Sequence, residues 1–290
     1  MDREVALKDF KKLQDGLCSV NPKGSAGNAF VNYFTFIKRL ETEGKKGINF
    51  YEMLRQKPEL KQKNYIINLL NYYKEKGGNM NETQIWWRIF NVYFGSVSIF
   101  KPVVAMDIYC RFKPTSVLDM TMGWGGRLVG ACALNVPNYI GIDLNKSLKT
   151  PYDNMVKVLK EYSTTKITLM FKSALAVDYS KLNYDMVLTS PPYYNIEVYK
   201  GSKRMDKDVW DNEFYKPLIE KSWRYLKPRG HYCLNIPAEV YDRVAKPLLG
   251  KPNIFIPMPK SQRTPDEKYK EFIYVWIKWL LRCYKVLYEY

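Results

Sequence analysis

The stretch that decides the fold is Thr115-Ser116-Val117-Leu118-Asp119-Met120-Thr121-Met122-Gly123-Trp124-Gly125-Gly126-Arg127. An apolar run ends at Asp119, and a glycine-rich turn leads from it into a helical pattern that begins at Gly126. Glycines between a strand and a helix let the backbone approach a ligand closely, and the helix start offers free N–H groups. The spacing is not the Gly-x-Gly-x-x-Gly of dinucleotide-binding folds, and no Lys-Ser/Thr pair follows as in a Walker A loop.

From this stretch onward, short β-rich runs alternate with helical patterns. The predicted strands cover residues 115–119, 138–143, 166–171, 184–189, 231–236 and 272–279, and the predicted helices cover 126–134, 146–162, 207–226 and 238–249. This alternation predicts a mostly parallel sheet with helices on both faces. Ligands of such sheets bind at the carboxyl ends of the strands.

The first hundred residues have a different pattern, with apolar residues at helical spacing. One stripe runs from Phe30 to Leu40, another from Tyr65 to Tyr73, and Asn81 is placed to cap a third helix. Trp86 and Trp87 are interpreted as helical core in preference to a nucleic-acid stacking surface. We therefore expect a helical N-terminal domain over residues 1–98 and a catalytic domain over residues 99–290.

Acidic residues stand at the ends of the first two predicted strands. Asp119 is expected beside the amino-acid part of a ligand that carries an ammonium and a carboxylate. Asp143 follows the glycines by about 20 residues, the position at which an acid binds two ribose hydroxyls. Ser173 and Ala174, after the third strand, are expected to line an adenine. The alternative is a generic α/β loop with a capping aspartate.

The fourth predicted strand leads into Thr189-Ser190-Pro191-Pro192-Tyr193-Tyr194. Ser190-Pro191-Pro192-Tyr193 resembles motif IV of the S-adenosylmethionine-dependent DNA amino-methyltransferases, which act on N4 of cytosine or N6 of adenine. The Asp119 loop resembles motif I of that family, although Met120 and Thr121 replace its usual Pro and Phe. Phe100-Lys101-Pro102 resembles motif X. The subgroup with Ser-Pro-Pro-Tyr is frequent in phage and viral sequences, and the resemblance covers roughly residues 99 to 280.

The resemblance implies a Rossmann-like class I methyltransferase fold, α/β, with a seven-stranded sheet that has one antiparallel strand. It implies S-adenosylmethionine as cofactor and two sets of site residues. The implied cofactor-binding residues are Phe100, Pro102, Asp119, Thr121, Gly123, Trp124, Gly125, Asp143, Ser173 and Ala174. The implied catalytic residues are Ser190, Pro191, Pro192 and Tyr193.

The chemistry of amine methylation explains the residue types of this motif. The lone pair of an exocyclic amine is delocalised into the base, so the amine is a weak nucleophile. The Ser190 hydroxyl and the Pro191 carbonyl can accept its two hydrogens and turn the lone pair toward the methyl group. The two prolines fix the backbone around that carbonyl. Tyr193 can stack on a base taken out of its helix.

Several functions agree with this motif. Serine in motif IV favours N4 of cytosine in DNA, and N6 of adenine in DNA or RNA is the first alternative. A glutamine-amide protein methyltransferase is a further alternative, although that class resembles Asn-Pro-Pro-Tyr. A non-catalytic nucleic-acid-binding subunit that keeps the pocket is the last. A C5-cytosine enzyme is excluded because it needs a Pro-Cys nucleophile, and the chain has no Pro-Cys dipeptide.

Charge points to a polyanionic partner. Lys and Arg number 46 against 29 Asp and Glu, a formal net charge of +17. Such an excess supplies affinity for nucleic acid, with DNA favoured over RNA by the family resemblance. Four basic residues near the motif are expected to hold phosphates that flank an extruded base, with a solvated mobile loop as the equal alternative: Lys200, Lys203, Arg204 and Lys207. A partner subunit or a homodimer stays open.

Other classes are disfavoured by composition. The five cysteines are dispersed and His231 is the single histidine, so we expect no metal site, and His231 is interpreted as an ordinary strand residue. The chain has no apolar run of membrane-spanning length, and its first residues do not resemble a secretory signal. We therefore expect reduced thiols, no membrane association, and a cytoplasmic protein of cellular, phage or viral origin.

Overall fold

The computed structural model describes residues 2–44, 46–95, 97–194, 205–258 and 271–279. Its strands are β1 (Ser116–Asp119), β2 (Asn138–Ile142), β3 (Lys166–Met170), β4 (Met186–Thr189), β5 (His231–Ile236), β6 (Ile254–Pro257) and β7 (Phe272–Ile277). They form one seven-stranded sheet in the order β3-β2-β1-β4-β5-β7-β6. All neighbours pair in parallel except β7, which is antiparallel to both β5 and β6. The predicted class I methyltransferase sheet is confirmed by this strand order.

The N-terminal region is helical, as its periodicity predicts. The helices before the sheet are α1 (Arg3–Gly16), α2 (Asn28–Leu40), α3 (Phe50–Arg55), α4 (Lys57–Leu60), α5 (Asn64–Lys76) and α6 (Glu82–Ile89). The side chain of Asn81 caps α6 by accepting the Gln84 N–H, and the Gln84 side chain accepts the Asn81 N–H in turn. Trp86 is fully buried and Trp87 packs against Phe50, which confirms that these tryptophans belong to a helical core.

Among the described residues, seven further helices precede β1 or lie between the strands. They are α7 (Pro102–Phe112), α8 (Gly126–Ala133), α9 (Lys149–Leu159), α10 (Lys207–Val209), α11 (Lys216–Tyr225), α12 (Ala238–Val240) and α13 (Lys246–Leu249). Two helices predicted as continuous contain a π-helical turn, at Trp210–Tyr215 and at Tyr241–Ala245. Pro217 and Pro247 follow these turns in α11 and α13 and have no backbone N–H to donate. The wider turns fall where a regular bond to the residue four positions back cannot form.

Two large clusters of buried side chains cover the sheet, and a third lies among the N-terminal helices. Phe10 of α1 and Phe30 of α2 belong to the same cluster as Val129 of α8 and Tyr152 of α9. The separate N-terminal cluster extends from Leu40 to Phe94. The first two helices are therefore part of the packing of the sheet domain, and the boundary near residue 98 stays a prediction.

The cysteines differ from expectation. Cys18, just after α1, forms a disulfide with Cys110 of α7, while Cys132 and Cys233 are free and buried. The expectation of reduced thiols is therefore wrong for the first pair. The two partners are 92 residues apart, and only the tertiary packing of the short 3-10 turn Leu17–Ser19 against α7 brings them together.

β6 is the one described strand that the sequence pattern did not predict. It has four residues and lies at the sheet edge, where two of its large side chains, Ile254 and Phe255, are well exposed. A short edge strand of this kind has no clear apolar–polar alternation. Within the described ranges, no helix has the length and apolarity needed to cross a membrane.

Candidate active site

The parallel strands bring the predicted site residues to one edge of the sheet. Asp119 ends β1 opposite Gly141 of β2, and Thr189 at the end of β4 lies opposite Leu234 of β5. Asp143 directly follows the last residue of β2, and Ser190 directly follows the last residue of β4. The carboxyl ends of the strands therefore carry both the expected cofactor residues and the motif around Ser190.

Asp119 is enclosed beneath this edge. One carboxylate oxygen accepts hydrogen bonds from Arg127 Nε and the Tyr139 hydroxyl, both at 2.7 Å, and the other accepts from Thr189 Oγ1 at 3.0 Å. The Asp119 side chain has no exposed surface and that of Arg127 has 4%. Burial alone would lower the pKa of Arg127, but the adjacent Asp119 carboxylate holds it above its usual value. Asp119 therefore braces β1, β2, β4 and α8 from within.

The glycine turn is held by its neighbours. The backbone N–H of Gly123 donates to Asp143 Oδ2 at 2.8 Å, and the Tyr152 hydroxyl lies 3.0 Å from the carbonyl oxygens of both Met122 and Gly123. Gly123 has a φ of +54°, and a Cβ built there would meet only the Thr121 carbonyl oxygen, at 3.7 Å. The turn therefore presents bare backbone to an open space beside Asp143.

Asp143 is half-buried at the end of β2. Its other oxygen accepts the Asn145 N–H at 2.8 Å. Desolvation raises the pKa of Asp143 to about 6, against the opposing effect of these two backbone hydrogen bonds. Two hydroxyl donors would stabilise the charged form of such a desolvated carboxylate, and the two hydroxyl groups of a ribose are donors of this kind.

The segment before α7 lies against the same turn. A Cβ on Gly126 would come within 1.8 Å of the Phe100 carbonyl oxygen, so only glycine permits this packing. The Arg127 guanidinium lies 4.9 Å from the centre of the Phe100 ring, and Pro102 begins α7 as a buried residue. The structure thus brings Phe100 and Pro102 to the glycine turn, and their implied role toward a cofactor stays a prediction.

The remaining cofactor candidates have mainly internal contacts. The Thr121 and Thr189 hydroxyls share a hydrogen bond of 2.8 Å, and Trp124 is buried. Ser173 Oγ caps the short 3-10 helix that begins at Ala174, and Ala174 is itself buried. Thr121, Trp124, Gly125 and Ser173 lie in the loops after β1 and β3, but their roles toward a cofactor stay predictions.

The motif after β4 is joined to β5 and β7. Ser190 Oγ donates to Asn235 Oδ1 at 3.1 Å and lies 3.3 Å from the Tyr193 hydroxyl. That hydroxyl lies 2.9 Å from Asn235 Oδ1 and donates to Glu271 Oε1 at 2.7 Å. Asn235 and Glu271 are both buried.

A second set of contacts shapes the turn behind Tyr193. The Tyr215 hydroxyl donates to the Pro192 carbonyl and accepts the Tyr194 N–H at 3.3 Å. Tyr194 has a φ of +50°, a conformation that a large side chain rarely adopts. Its hydroxyl donates to Asp211 at 2.9 Å, and Arg243 also binds Asp211 at 2.7 Å. These contacts over-determine the strained turn that follows the two prolines.

Among the predicted phosphate-binding residues, only Lys207 can be placed. It begins α10, and its ammonium donates to Glu239 at 2.5 Å. Lys200, Lys203 and Arg204 lie outside the described residues. His231 begins β5, at the end of that strand away from Asn235, and stacks on Phe112, as expected of an ordinary strand residue. Within the described ranges, no group of three or more His, Cys, Asp or Glu could hold a metal ion.

Two site residues, Asn235 and Glu271, were missed by reasoning from sequence. Asn235 is a polar residue inside the apolar run of β5, and its register places it beside Ser190. Glu271 immediately precedes β7. The amide within an apolar strand was a usable signal, because buried polar groups need partners. Glu271 had none, since its position depends on β7 being inserted beside β5.

Comparisons with known proteins identify similar solved structures but no family for this chain. No protein-family model matches the chain, and no curated protein matches it. Among solved structures, an rRNA methylase from Streptococcus thermophilus shares 16% identity over 63% of this chain and 100% of its own, with a TM-score of 0.41. An S-adenosylmethionine-dependent O-methyltransferase from Thermotoga maritima shares 14% over 67% and 71%, with a TM-score of 0.40. Methanocaldococcus jannaschii Trm5 in complex with adenosine shares 17% over 56% and 42%, at 0.38. The fold assignment rests on the strand order and not on these similarities.

Proposed function

We propose that this protein transfers a methyl group from S-adenosylmethionine to an exocyclic amino group of a nucleobase, and that its target is N4 of cytosine in DNA. The observation that carries the proposal is the position of Ser190-Pro191-Pro192-Tyr193. This motif directly follows β4, at the same sheet edge as the glycine turn and the half-buried carboxylate of Asp143.

The residues present suit the cofactor. Asp143 offers a carboxylate whose pKa is raised by desolvation and which two ribose hydroxyls would stabilise in its charged form. Gly123 exposes backbone next to it, while Phe100, which precedes α7, and Pro102, its first residue, pack against the turn. The cofactor supplies an electrophilic methyl group on a sulfonium. Asp119 holds the turn in shape from below through Arg127 and Tyr139, and its expected place beside the amino-acid part of the cofactor stays a prediction.

The motif suits an amine acceptor. Ser190 Oγ accepts one amine hydrogen, the Pro191 carbonyl accepts the other, and the lone pair then turns toward the methyl group. As the nitrogen–methyl bond forms, the sulfonium–methyl bond would break, and the nitrogen would return to neutrality by losing one of its protons to solvent. Tyr193 stacks on the base, with its ring held through its hydroxyl by Glu271. Positioning supplies most of the acceleration, and no covalent bond to the protein is needed. A net charge of +17 favours nucleic acid as the carrier of the amine.

The test is methyl transfer from tritiated S-adenosylmethionine onto separate pools of DNA, RNA and protein, followed by mass spectrometry of the nucleosides. The proposal expects label in DNA, as N4-methylcytosine. N6-methyladenine would move the target base and keep the chemistry. Label in glutamine of protein, or cofactor binding without transfer, would contradict the nucleobase function. DNA preference, a partner subunit or homodimer, and a cytoplasmic location remain part of the proposal.

A further inference from the structure

Serine in motif IV poses a chemical problem that aspartate or asparagine does not. A carboxylate or an amide oxygen is an acceptor by nature, whereas a serine hydroxyl can present either its proton or its lone pairs. If the Ser190 proton points at the substrate, it repels the amine hydrogens that the hydroxyl is meant to accept. A serine of this kind therefore needs a second acceptor that takes its proton.

Asn235 has the geometry of that acceptor. It follows Leu234, which pairs with Thr189 across the β4–β5 ladder, so its amide stands beside Ser190. Its Oδ1 accepts the Ser190 proton at 3.1 Å, while its Nδ2 donates to the Phe272 carbonyl of β7 at 3.3 Å. This second bond decides which end of the amide faces Ser190. Asn235 is only 2% exposed, so water does not compete for the bond.

Glu271 removes the competing donor. Tyr193 has one hydroxyl proton and lies within reach of both Asn235 Oδ1 and Glu271 Oε1. The bond to the carboxylate is the shorter at 2.7 Å, and a charged acceptor is the stronger one. When the Tyr193 hydroxyl donates its hydrogen bond to Glu271, Asn235 Oδ1 stays available to accept the hydrogen bond from Ser190. The Ser190 proton then points toward β5 and β7, and its lone pairs face outward.

We propose that Asn235 is a positioning residue that keeps the Ser190 hydroxyl in its acceptor orientation, with Glu271 holding the Tyr193 proton aside. This inference rests on the proposed function. It assigns to the end of β5 a role that an aspartate or asparagine at position 190 would not require.

The test compares Asn235→Leu and Asn235→Ala with the unsubstituted protein in single-turnover methyl transfer at saturating S-adenosylmethionine. Both variants remove the acceptor, and alanine cannot clash if leucine fails to fold. We expect the rate constant to fall about 10- to 100-fold, with the cofactor dissociation constant from calorimetry unchanged. Asn253→Leu is the control, because it removes a bond from Asn253 to the Ile277 N–H of β7, far from Ser190.

A double-mutant cycle separates positioning from a merely structural role. In a Ser190→Ala background, Asn235→Ala should cause little further loss, since no hydroxyl remains to orient. Equal losses in both backgrounds, an unchanged rate, or loss of cofactor binding together with rate would each overturn the role of Asn235 alone. Absence of transfer by the unsubstituted protein would instead contradict the proposed function and this role with it.

Discussion

At the scale of single residues, the aspartates at the carboxyl ends of β1 and β2, Asp119 and Asp143, have opposite surroundings. Asp119 is enclosed by donors and has no exposed surface, whereas Asp143 is half-buried and has two backbone donors. Burial keeps the pKa of Asp143 at about 6. Only Asp143 therefore has both the access and the electrostatic need for further donors.

This difference predicts a pH dependence of cofactor binding. Ribose hydroxyls favour the ionised carboxylate, so bound cofactor lowers the pKa of Asp143, and affinity should weaken as the pH falls through about 6. Asp143→Asn should bind more weakly at pH 8 by roughly 1.5–3 kcal/mol, the value of a hydrogen bond to a charged group, and should lose the pH dependence. Calorimetric titration between pH 5 and 8 measures both effects. Unchanged affinity in a folded variant would refute the assignment.

Substitutions of Tyr193 separate the stacking of its ring on the base from the hydrogen bond of its hydroxyl to Glu271. Tyr193→Phe keeps the ring but leaves the buried Glu271 without this donor, so we expect a loss of roughly 1.5–3 kcal/mol in unfolding free energy and a small change in rate. Tyr193→Ala also removes the stacking surface, worth roughly 1–3 kcal/mol per base, so acceptor binding should weaken as well. Chemical denaturation and acceptor titration are the two measurements. Tyr72→Phe, at a residue 55% exposed, is the control and should change neither.

At the scale of elements, the strand ends could be predicted from sequence and their side-chain contacts could not. The run after Thr115 and the motif after Thr189 each combine a local apolar pattern with turn residues, which is information that a sequence contains. The enclosure of Asp119 depends on Tyr139 and Thr189, which are distant in sequence. Asn235 and Glu271 meet Tyr193 only through strand register, and pattern reasoning does not give register across a crossover.

The disulfide between the segment after α1 and α7 is a second contact between distant elements. Its partners close a loop of 92 residues, for which chain entropy predicts roughly 4–5 kcal/mol of stabilisation. The Cys18→Ser/Cys110→Ser variant should therefore melt at a lower temperature than the oxidised protein. A reductant should lower the melting temperature of the unsubstituted protein and leave the double variant unaffected. No effect of reductant on either would mean that the pair is not bonded in solution.

At the scale of the whole molecule, the net charge predicts that binding to nucleic acid depends on salt. With a formal net charge of +17, binding to DNA should release counterions, and the logarithm of affinity should fall linearly with the logarithm of salt concentration. Each phosphate neutralised contributes a slope of about −0.9 on duplex DNA and about −0.7 on single strands. Fluorescence anisotropy over a salt series measures the slope, and cofactor affinity serves as the reference. Salt-independent binding would point to a protein or small-molecule acceptor.

The insertion of β7 between β5 and β6 has a consequence for how the protein matures. The last strand of the sheet in chain order fills an interior place, pairing six residues with β5 and four with β6. Until that strand is synthesised, β6 lacks the strand with which it pairs in the described part of the chain. Tyr193 also lacks its carboxylate partner, because Glu271 immediately precedes β7. A nascent chain that stops short of this point has its glycine turn and Ser190, but it lacks the Glu271 carboxylate that accepts the Tyr193 hydroxyl and the Phe272 carbonyl that accepts from the Asn235 amide. We therefore expect the protein to become active only when β7 has been synthesised and has paired with β5 and β6.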